Sequence, residues 1–353
     1  MENLMQLVTP VISALFAEAK ETKAGSTLDS SDEYKVRLDC NRNPSLSQCD
    51  RNQTDYLQRA TSLFSSKLRL DVGQVLLCNG IFGAIDMLCR CFCVAGVDNI
   101  VTLSPSRHLY TSVASMTGVE CRKVVLNADF TMTADDVLAL CDEHTKMVFL
   151  CSPNDPVGNV LPVEEILVIV ELFHGLVVID ESYNAFAKQS SWRIHLQALQ
   201  NLVIVNSMDI SYGATALNVG CVNSNAKIIN VLKLLYEPYR LSQYAAKAAC
   251  RLLENSFEQD RSNRVLAIER QRVMYAVAQL PICKRILKSE SNFFLVDFGD
   301  NRKVFNYLCS CGILVNDCYE TGLPIGRYLR ISVGTKSENN LLLSALRGIG
   351  DKD

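Results

Sequence analysis

The sequence predicts an α/β fold, in which helices cover a mainly parallel sheet and a smaller α+β unit follows. In the middle of the chain, apolar runs of strand length alternate with segments of helical periodicity. This alternation is typical of a parallel sheet with helices on both faces. After about residue 255 the pattern changes to that of a smaller unit. A length of 353 residues also favours two units.

The predicted elements follow one another in this order along the chain. Strands are predicted at residues 75–78, 99–103, 120–126, 146–151, 176–180, 201–207, 293–298, 313–316 and 328–333. Helices are predicted at residues 3–20, 81–93, 163–173, 302–311 and 337–349. A further helix is predicted to begin at Thr133, because Asp136 follows at the spacing of a capping box. We expect an N-terminal arm (1–45) that joins the smaller unit, a large unit (46–255) and a small unit (256–353).

Composition and charge exclude several classes of partner. The net charge is −3 and no block of lysine and arginine stands out, which argues against nucleic acid and anionic membranes. Acidic residues interrupt the longest apolar stretch before it reaches the roughly 20 residues of a membrane span. The Met-Glu-Asn-Leu start is unlike a signal peptide. We therefore expect a cytoplasmic protein.

Fifteen cysteines are an unusually large number for a chain of this kind. Without a signal peptide, reduced thiols are the default expectation. Cys89 and Cys93 are spaced i, i+4 within an apolar helical pattern, where cysteine behaves as a small core residue. The sequence therefore favours packing over metal binding, and no metal site is predicted.

Glycine-rich and polar segments come directly after several predicted strands. Asn79-Gly80, residues 153–158, Asp180 and residues 207–213 all lie at such strand ends. Ligands of open parallel sheets bind at the carboxyl ends of the strands. The sequence thus predicts a ligand cleft formed by these four segments.

Six motifs resemble those of histidinol-phosphate aminotransferases, in the same order and at similar distances. They are LDCNRNP at 38–44, NG at 79–80, CSPNDPVG at 151–158, VIDESY at 178–183, GILVND at 312–317 and LRISVGT at 329–335. The resemblance covers about residues 35–348. It implies the fold type I (aspartate aminotransferase-like) architecture of transferases that depend on pyridoxal phosphate (PLP). That architecture has a large domain with a mostly parallel seven-stranded sheet and a smaller α+β domain, and it forms a homodimer.

The resemblance also assigns roles to individual positions. In the family, a lysine forms a Schiff base with PLP and then moves the substrate proton. The position that matches this lysine is Ile210, and no lysine lies between Lys188 and Lys227. The arginine that binds the cofactor phosphate is matched by Asn218, and the hydroxyl residue before the lysine is matched by Asp209. Each change removes a group that would meet PLP, or adds a negative charge beside its phosphate.

Other positions of the cleft are retained in part. The positions that match cofactor-binding residues are Asn79, Gly80, Asp155, Asp180, Tyr183, Ser207, Asp209 and Asn218, of which Asp209 and Asn218 are altered as described and Asp155 replaces an asparagine. Those that match substrate-binding residues are Asn292 and Arg330. Arg107 matches a tyrosine that stacks on the cofactor ring, and Asn52 matches a tyrosine that the partner subunit supplies.

From these changes we expect a catalytically inactive relative of the aminotransferases that holds no cofactor. It would act as a scaffold, a dimer partner or a supporting subunit, either in a homodimer or with a homologous subunit. Two alternatives remain open. One is an active PLP-dependent transaminase, or a related PLP enzyme, that uses another base such as His108 or Lys188. The other is a module that binds a different small ligand in the same cleft.

Overall fold

The computed structural model describes residues 6–25, 55–318 and 328–350. Its helices are α1 (Pro10–Gly25), α2 (Tyr56–Leu68), α3 (Gly80–Phe92), α4 (His108–Thr117), α5 (Ala134–Leu138), α6 (Val163–Leu172), α7 (Met208–Ser211), α8 (Ala226–Leu232), α9 (Gln243–Glu254), α10 (Ser256–Ala278), α11 (Asn301–Ser310) and α12 (Lys336–Gly350). Its strands are β1 (Val75–Asn79), β2 (Asn99–Ser104), β3 (Glu120–Val125), β4 (Thr145–Cys151), β5 (Leu176–Asp180), β6 (Leu202–Ser207), β7 (Val219–Ser224), β8 (Arg285–Ile286), β9 (Phe293–Asp297), β10 (Asn316–Asp317) and β11 (Leu329–Ser332).

Strands β1 to β7 form a seven-stranded sheet in the order β1-β7-β6-β5-β4-β2-β3. Strand β7 is antiparallel to both of its neighbours, and the other pairs are parallel. The expectation of a mainly parallel, seven-stranded α/β sheet is confirmed. The sequence patterns did not single out β7, because its VGCVNS sequence mixes glycine and polar residues with only three apolar positions.

The central strands are buried on both faces, which explains their continuous apolar runs. In β4, Met147 and Phe149 belong to the core on one face of the sheet. Val148 and Leu150 belong to the core on the other face. This alternation follows from the two-residue period of a strand, and it fixes the direction in which each strand end presents its last side chain.

Strands β8 to β11 form a second, antiparallel sheet in the order β10-β11-β9-β8. Apolar residues of α10, α11 and α12 pack on it in a separate core. The smaller α+β unit is therefore as predicted in outline, but strand β8 and helix α10 were not predicted, and one predicted strand differs. A strand was predicted at 313–316, but residues 313–315 are irregular and the strand is Asn316–Asp317.

The N-terminal segment was expected to join the smaller unit, and for its described part this is wrong. Val8 and Ile12 pack into the core of the large sheet. The backbone N–H of Thr9 donates to the carbonyl of Cys91 in α3 at 3.0 Å. Residues 26–45 of the predicted arm lie outside the described residues. The unit boundaries after residues 45 and 255 stay predictions.

The described cysteines range from buried to exposed. Cys89, Cys91 and Cys93 are buried, as the helical spacing of Cys89 and Cys93 predicted. Cys309 and Cys311 are exposed at the end of α11. Within the described ranges, no helix is both long and apolar enough to cross a membrane.

Candidate functional site

Neighbouring strand ends bring the predicted site residues to one edge of the large sheet. Asp180 ends β5 and pairs in register with Cys151 at the end of β4. Ser207 ends β6 and lies opposite Gly220 of β7. Asn79 ends β1 and lies opposite Val219, the first residue of β7. The segments predicted to form the cleft therefore lie at the carboxyl ends of neighbouring strands.

Asp180 is the most deeply buried carboxylate of this cleft, with 1% of its surface exposed. Its Oδ1 accepts hydrogen bonds from the backbone N–H of Ser182 at 2.9 Å and from the Ser182 hydroxyl at 2.6 Å. Its Oδ2 accepts hydrogen bonds from the Tyr110 hydroxyl and from Arg107 Nη1, both at 2.7 Å. Four donors surround one carboxylate.

Arg107 comes from the loop between β2 and α4 and is the residue that precedes α4. Its guanidinium forms a largely buried ion pair with Asp180 and also donates to the Ser182 hydroxyl at 3.1 Å. Burial lowers the pKa of Arg107, but the charge of Asp180 and smaller contributions from Tyr110, Cys151 and Tyr183 together outweigh it, so the net pKa lies above the ordinary value. Arg107 therefore keeps its positive charge in this ion pair.

Residue 210, the matched lysine position, lies in the short helix α7. The Ser207 hydroxyl caps this helix by accepting the backbone N–H of Asp209 at 3.0 Å. Ile210 packs against a small apolar cluster that includes Tyr183, Phe186 and Phe293. Its hydrocarbon side chain therefore belongs to the packing between the large sheet and β9.

The side of the cleft that matches the phosphate site is built on close backbone contacts. Gly80 has a φ of +73°, and a Cβ there would overlap the side-chain amide of Asn218. A Cβ on Gly220 would overlap the backbone of Gly80. Asn218 itself has a φ of +49° and donates from Nδ2 to Asn79 Oδ1 at 3.1 Å. An amide thus covers the turn where the family has a guanidinium.

Asp209 adds a carboxylate to the same side. Its Oδ1 is buried without a hydrogen-bond partner. Burial raises the pKa of Asp209, while hydrogen bonds from Ser207 and the Val219 backbone and the charge of Arg107 oppose the rise. A phosphate dianion placed here would meet a group that is itself poorly solvated.

The side of the cleft that matches the substrate site contains a second ion pair. Arg330 of β11 donates from Nη1 to Asp155 Oδ1 at 2.8 Å, and the Tyr183 hydroxyl donates to Asp155 Oδ2 at 2.7 Å. The Arg330 guanidinium lies 5.2 Å from the centre of the Phe293 ring. Asn292 precedes β9, and its carbonyl accepts the N–H of Val333 at 2.9 Å.

A cavity of about 510 Å³ opens between these groups, and Arg107, His108, Asp155 and Arg330 line it. Of the two bases considered from the sequence, only His108 is therefore at the cleft. Lys188 lines a different cavity together with Arg270 and Glu290. The matched position Asn52 lies outside the described residues.

Three functional neighbours escaped the sequence reasoning. Tyr110 and Ser182 donate hydrogen bonds to Asp180, and the motif comparison assigned neither of them a role. Glu181 is also buried, and it accepts hydrogen bonds from the Ser191 hydroxyl at 2.5 Å and the Trp192 N–H at 2.6 Å. The only available signal was the DES sequence at 180–182, because polar residues rarely follow a buried strand unless they are paired.

Comparisons with known proteins agree with this architecture. The family model "Aminotransferase class I and II" matches residues 40–346. A histidinol-phosphate aminotransferase of Bacteroides fragilis is 36% identical over 350 residues, covering 98% of this chain and 99% of that protein. One from Bacteroides thetaiotaomicron is 34% identical over 349 residues, covering 98% and 99%.

Solved structures show the same fold. The histidinol-phosphate aminotransferase of Clostridium acetobutylicum superposes with a TM-score of 0.76 at 20% identity, covering 85% of this chain and 90% of that one. The enzyme of Sinorhizobium meliloti, solved in complex with pyridoxal-5'-phosphate, gives a TM-score of 0.73 at 20% identity, covering 83% and 81%.

These findings correct one expectation from the sequence. The absence of a cofactor was inferred from the altered positions, and this inference is wrong, because the matched family and the Sinorhizobium meliloti complex make pyridoxal phosphate the expected ligand. The residues of the described cleft fit that ligand only in part. Asp180 and Tyr183 remain on the ring side, whereas Ile210, Asp209 and Asn218 offer neither a covalent anchor nor a cation for the phosphate.

Proposed function

Because this chain belongs to the class I and II aminotransferase family, we propose that it takes pyridoxal phosphate as its coenzyme and holds it without a covalent bond. The proposal is supported by the family match over residues 40–346 and by the ring-side residues Asp180 and Tyr183. When bound, pyridoxal phosphate supplies an aldehyde and an electron sink. The proposal that the coenzyme is held without a covalent bond rests on the hydrocarbon side chain of Ile210, which occupies the position matched to the lysine.

Ile210 removes two functions at once. An isoleucine can neither condense with an aldehyde nor accept a proton, so position 210 can be neither an anchor nor a general base. Its packing against Tyr183, Phe186 and Phe293 gives it a structural role instead. Our proposal is therefore that amino-group transfer by the family's lysine route is absent, and that the chain acts as a dimer partner or supporting subunit.

The charges of the cleft support the same proposal. Asp155 pairs with Arg330, the arginine that the resemblance assigns to a substrate anion. Asp209 stands where an uncharged hydroxyl belongs, and Asn218 where an arginine belongs. Loss of a charged hydrogen bond costs about 1.5–3 kcal/mol. The coenzyme should consequently bind less tightly than in a protein with the complete phosphate site.

Three measurements on the purified protein test the proposal. Equilibrium dialysis with pyridoxal phosphate should show saturable binding. Borohydride treatment followed by mass spectrometry should show no covalent adduct. An assay with histidinol phosphate and an α-keto acid should show no amino-group transfer. An adduct on any lysine, or turnover in the assay, would contradict the proposal, and absence of binding would remove its coenzyme part.

A second candidate function is an active PLP-dependent transaminase that uses another base. It is favoured by identity of 36% over nearly the whole chain with proteins named histidinol-phosphate aminotransferase. His108 is the base to test, because it lines the cleft, and its Nδ1 is 2.8 Å from the Ser112 hydroxyl. Turnover that is lost in His108→Gln but kept in Lys188→Gln would establish this candidate.

We also propose that the chain assembles as a homodimer in the cytoplasm, with a heterodimer as the other possible assembly. The resemblance is the support for the dimer, because the family's cleft is shared between subunits. Light scattering after size-exclusion chromatography measures the mass of the assembly. A stable monomer would contradict the proposal, and co-purification of a homologous subunit that carries the lysine would favour the heterodimer.

A further inference from the structure

The carboxylate of Asp180 has no acceptor position to spare. An ionised carboxylate offers about four lone-pair sites. Ser182 fills two of them on Oδ1, and Tyr110 and Arg107 fill two on Oδ2, at distances from 2.6 to 2.9 Å. A further N–H donor can therefore bind Asp180 only if one of these donors leaves.

Of these donors, Arg107 is the one that can leave. Ser182 is fixed by the backbone two residues from Asp180, and Tyr110 is fully buried and stacked on Phe149 with 5.3 Å between ring centres. Arg107 is 18% exposed and lines the cavity of about 510 Å³ that opens beside it. Its side chain thus has space to move into, which the other two lack.

We propose that Arg107 is an intrachain competitor of the coenzyme, which reaches Asp180 only when the guanidinium swings into this cavity. The ligand in question is a protonated heteroaromatic ring, and its identity as pyridoxal phosphate rests on the proposed function. Two cations at one buried carboxylate would repel each other strongly. The free protein consequently carries its own positive charge where the ring nitrogen of the coenzyme would bring one.

The competition has a measurable consequence. Removing the charge at position 107 leaves Asp180 held by Tyr110 and Ser182 but without a cation, which favours a cationic ring. A lysine at position 107 keeps the charge and should keep the competition. Arg107 is therefore a positioning residue that sets coenzyme affinity, and Arg107→Lys is the conservative variant that should preserve the behaviour of the natural protein.

Equilibrium dialysis with pyridoxal phosphate tests this on five forms of the full chain. We expect Arg107→Met and Arg107→Gln to bind at least tenfold more tightly than the natural protein, and Arg107→Lys to bind within threefold of it. Arg107→Gln keeps a donor for Asp180, so it covers the case in which Arg107→Met fails to fold. The matched control is Arg90→Met, which breaks the Arg90–Asp86 ion pair on α3 and should leave the affinity unchanged.

The outcomes separate this inference from the proposed function. Equal or weaker binding in both uncharged variants overturns the inference, even where the natural protein binds the coenzyme. Tight binding in the variants together with none in the natural protein supports the inference and overturns the proposed coenzyme. No binding by any form removes both.

Discussion

Replacing Asp155 with asparagine should loosen the contact between the large and the small sheet. Asp155 follows β4, and it accepts hydrogen bonds from Arg330 of β11 and from the Tyr183 hydroxyl. Asparagine keeps the shape and one acceptor oxygen, but it removes the negative charge. The change therefore isolates the electrostatic part of the contact.

The magnitude follows from the burial of this pair. A hydrogen bond between charged groups contributes about 1.5–3 kcal/mol when it is well buried. The side chains of Arg330 and Asp155 are 29% and 17% exposed, so solvent screens part of the interaction. We expect the free energy of unfolding to fall by about 1–2 kcal/mol. For a chain of this size that lowers the melting temperature by about 1–3 °C.

Differential scanning fluorimetry measures this loss, with and without histidinol phosphate. Since Asp155→Asn frees Arg330, the ligand should raise the melting temperature of the variant by more than that of the natural protein. The control is Glu254→Gln, which breaks the exposed Arg59–Glu254 pair and should change stability by less than about 0.5 kcal/mol. A variant that melts like the control and gains no response to the ligand would refute the reasoning.

Two further predictions concern residues 210 and 181. Ile210→Lys alone should lower the free energy of unfolding by roughly 1–3 kcal/mol, because an amine enters an apolar cluster. It should not restore tight coenzyme binding while Asp209 and Asn218 remain. Denaturant melts measure the stability and dialysis measures the binding, and recovery of transamination would show that the phosphate site is intact. Burial raises the pKa of Glu181 from 4.5 to about 7, so the folded state binds its proton more tightly than the unfolded state. This stabilisation is complete below about pH 4.5 and is lost as the pH rises through about 7. The free energy of unfolding of Glu181→Gln, measured from pH 4 to 8, should not show that loss. A pH dependence equal to that of the natural protein would contradict the assignment.

Much of the large sheet could be predicted from the sequence, because its central strands are short apolar runs that end at polar residues. The strand predicted at 176–180 matches β5 (Leu176–Asp180), and the helix predicted to begin at Thr133 is capped by that residue. Strand β7 was not predicted, because pairing with β1 and β6, rather than local composition, decides its conformation. The irregular 313–315 segment was wrongly predicted as part of a strand.

The site could be predicted as a set of positions but not as a set of contacts. The motifs located Asp155, Asp180 and Arg330, and the structure brings all three to the cleft. Their partners lie far away in sequence: Arg107 is 73 residues from Asp180, and Arg330 is 175 residues from Asp155. Patterns of hydrophobic periodicity carry no information over such separations. From the sequence, Arg107 could be matched to the tyrosine that stacks on the cofactor ring, but its ion pair with Asp180 could not be predicted.

The backbone at Asn218 constrains how this sequence can change. A φ of +49° is tolerated by asparagine and glycine but costs other residues roughly 1 kcal/mol. An arginine at this position would therefore carry a conformational penalty that its interaction with the phosphate would have to offset. Because the Asn218 amide also lies against Gly80, a single Asn218→Arg change should be a poor starting point for directed evolution of a phosphate site.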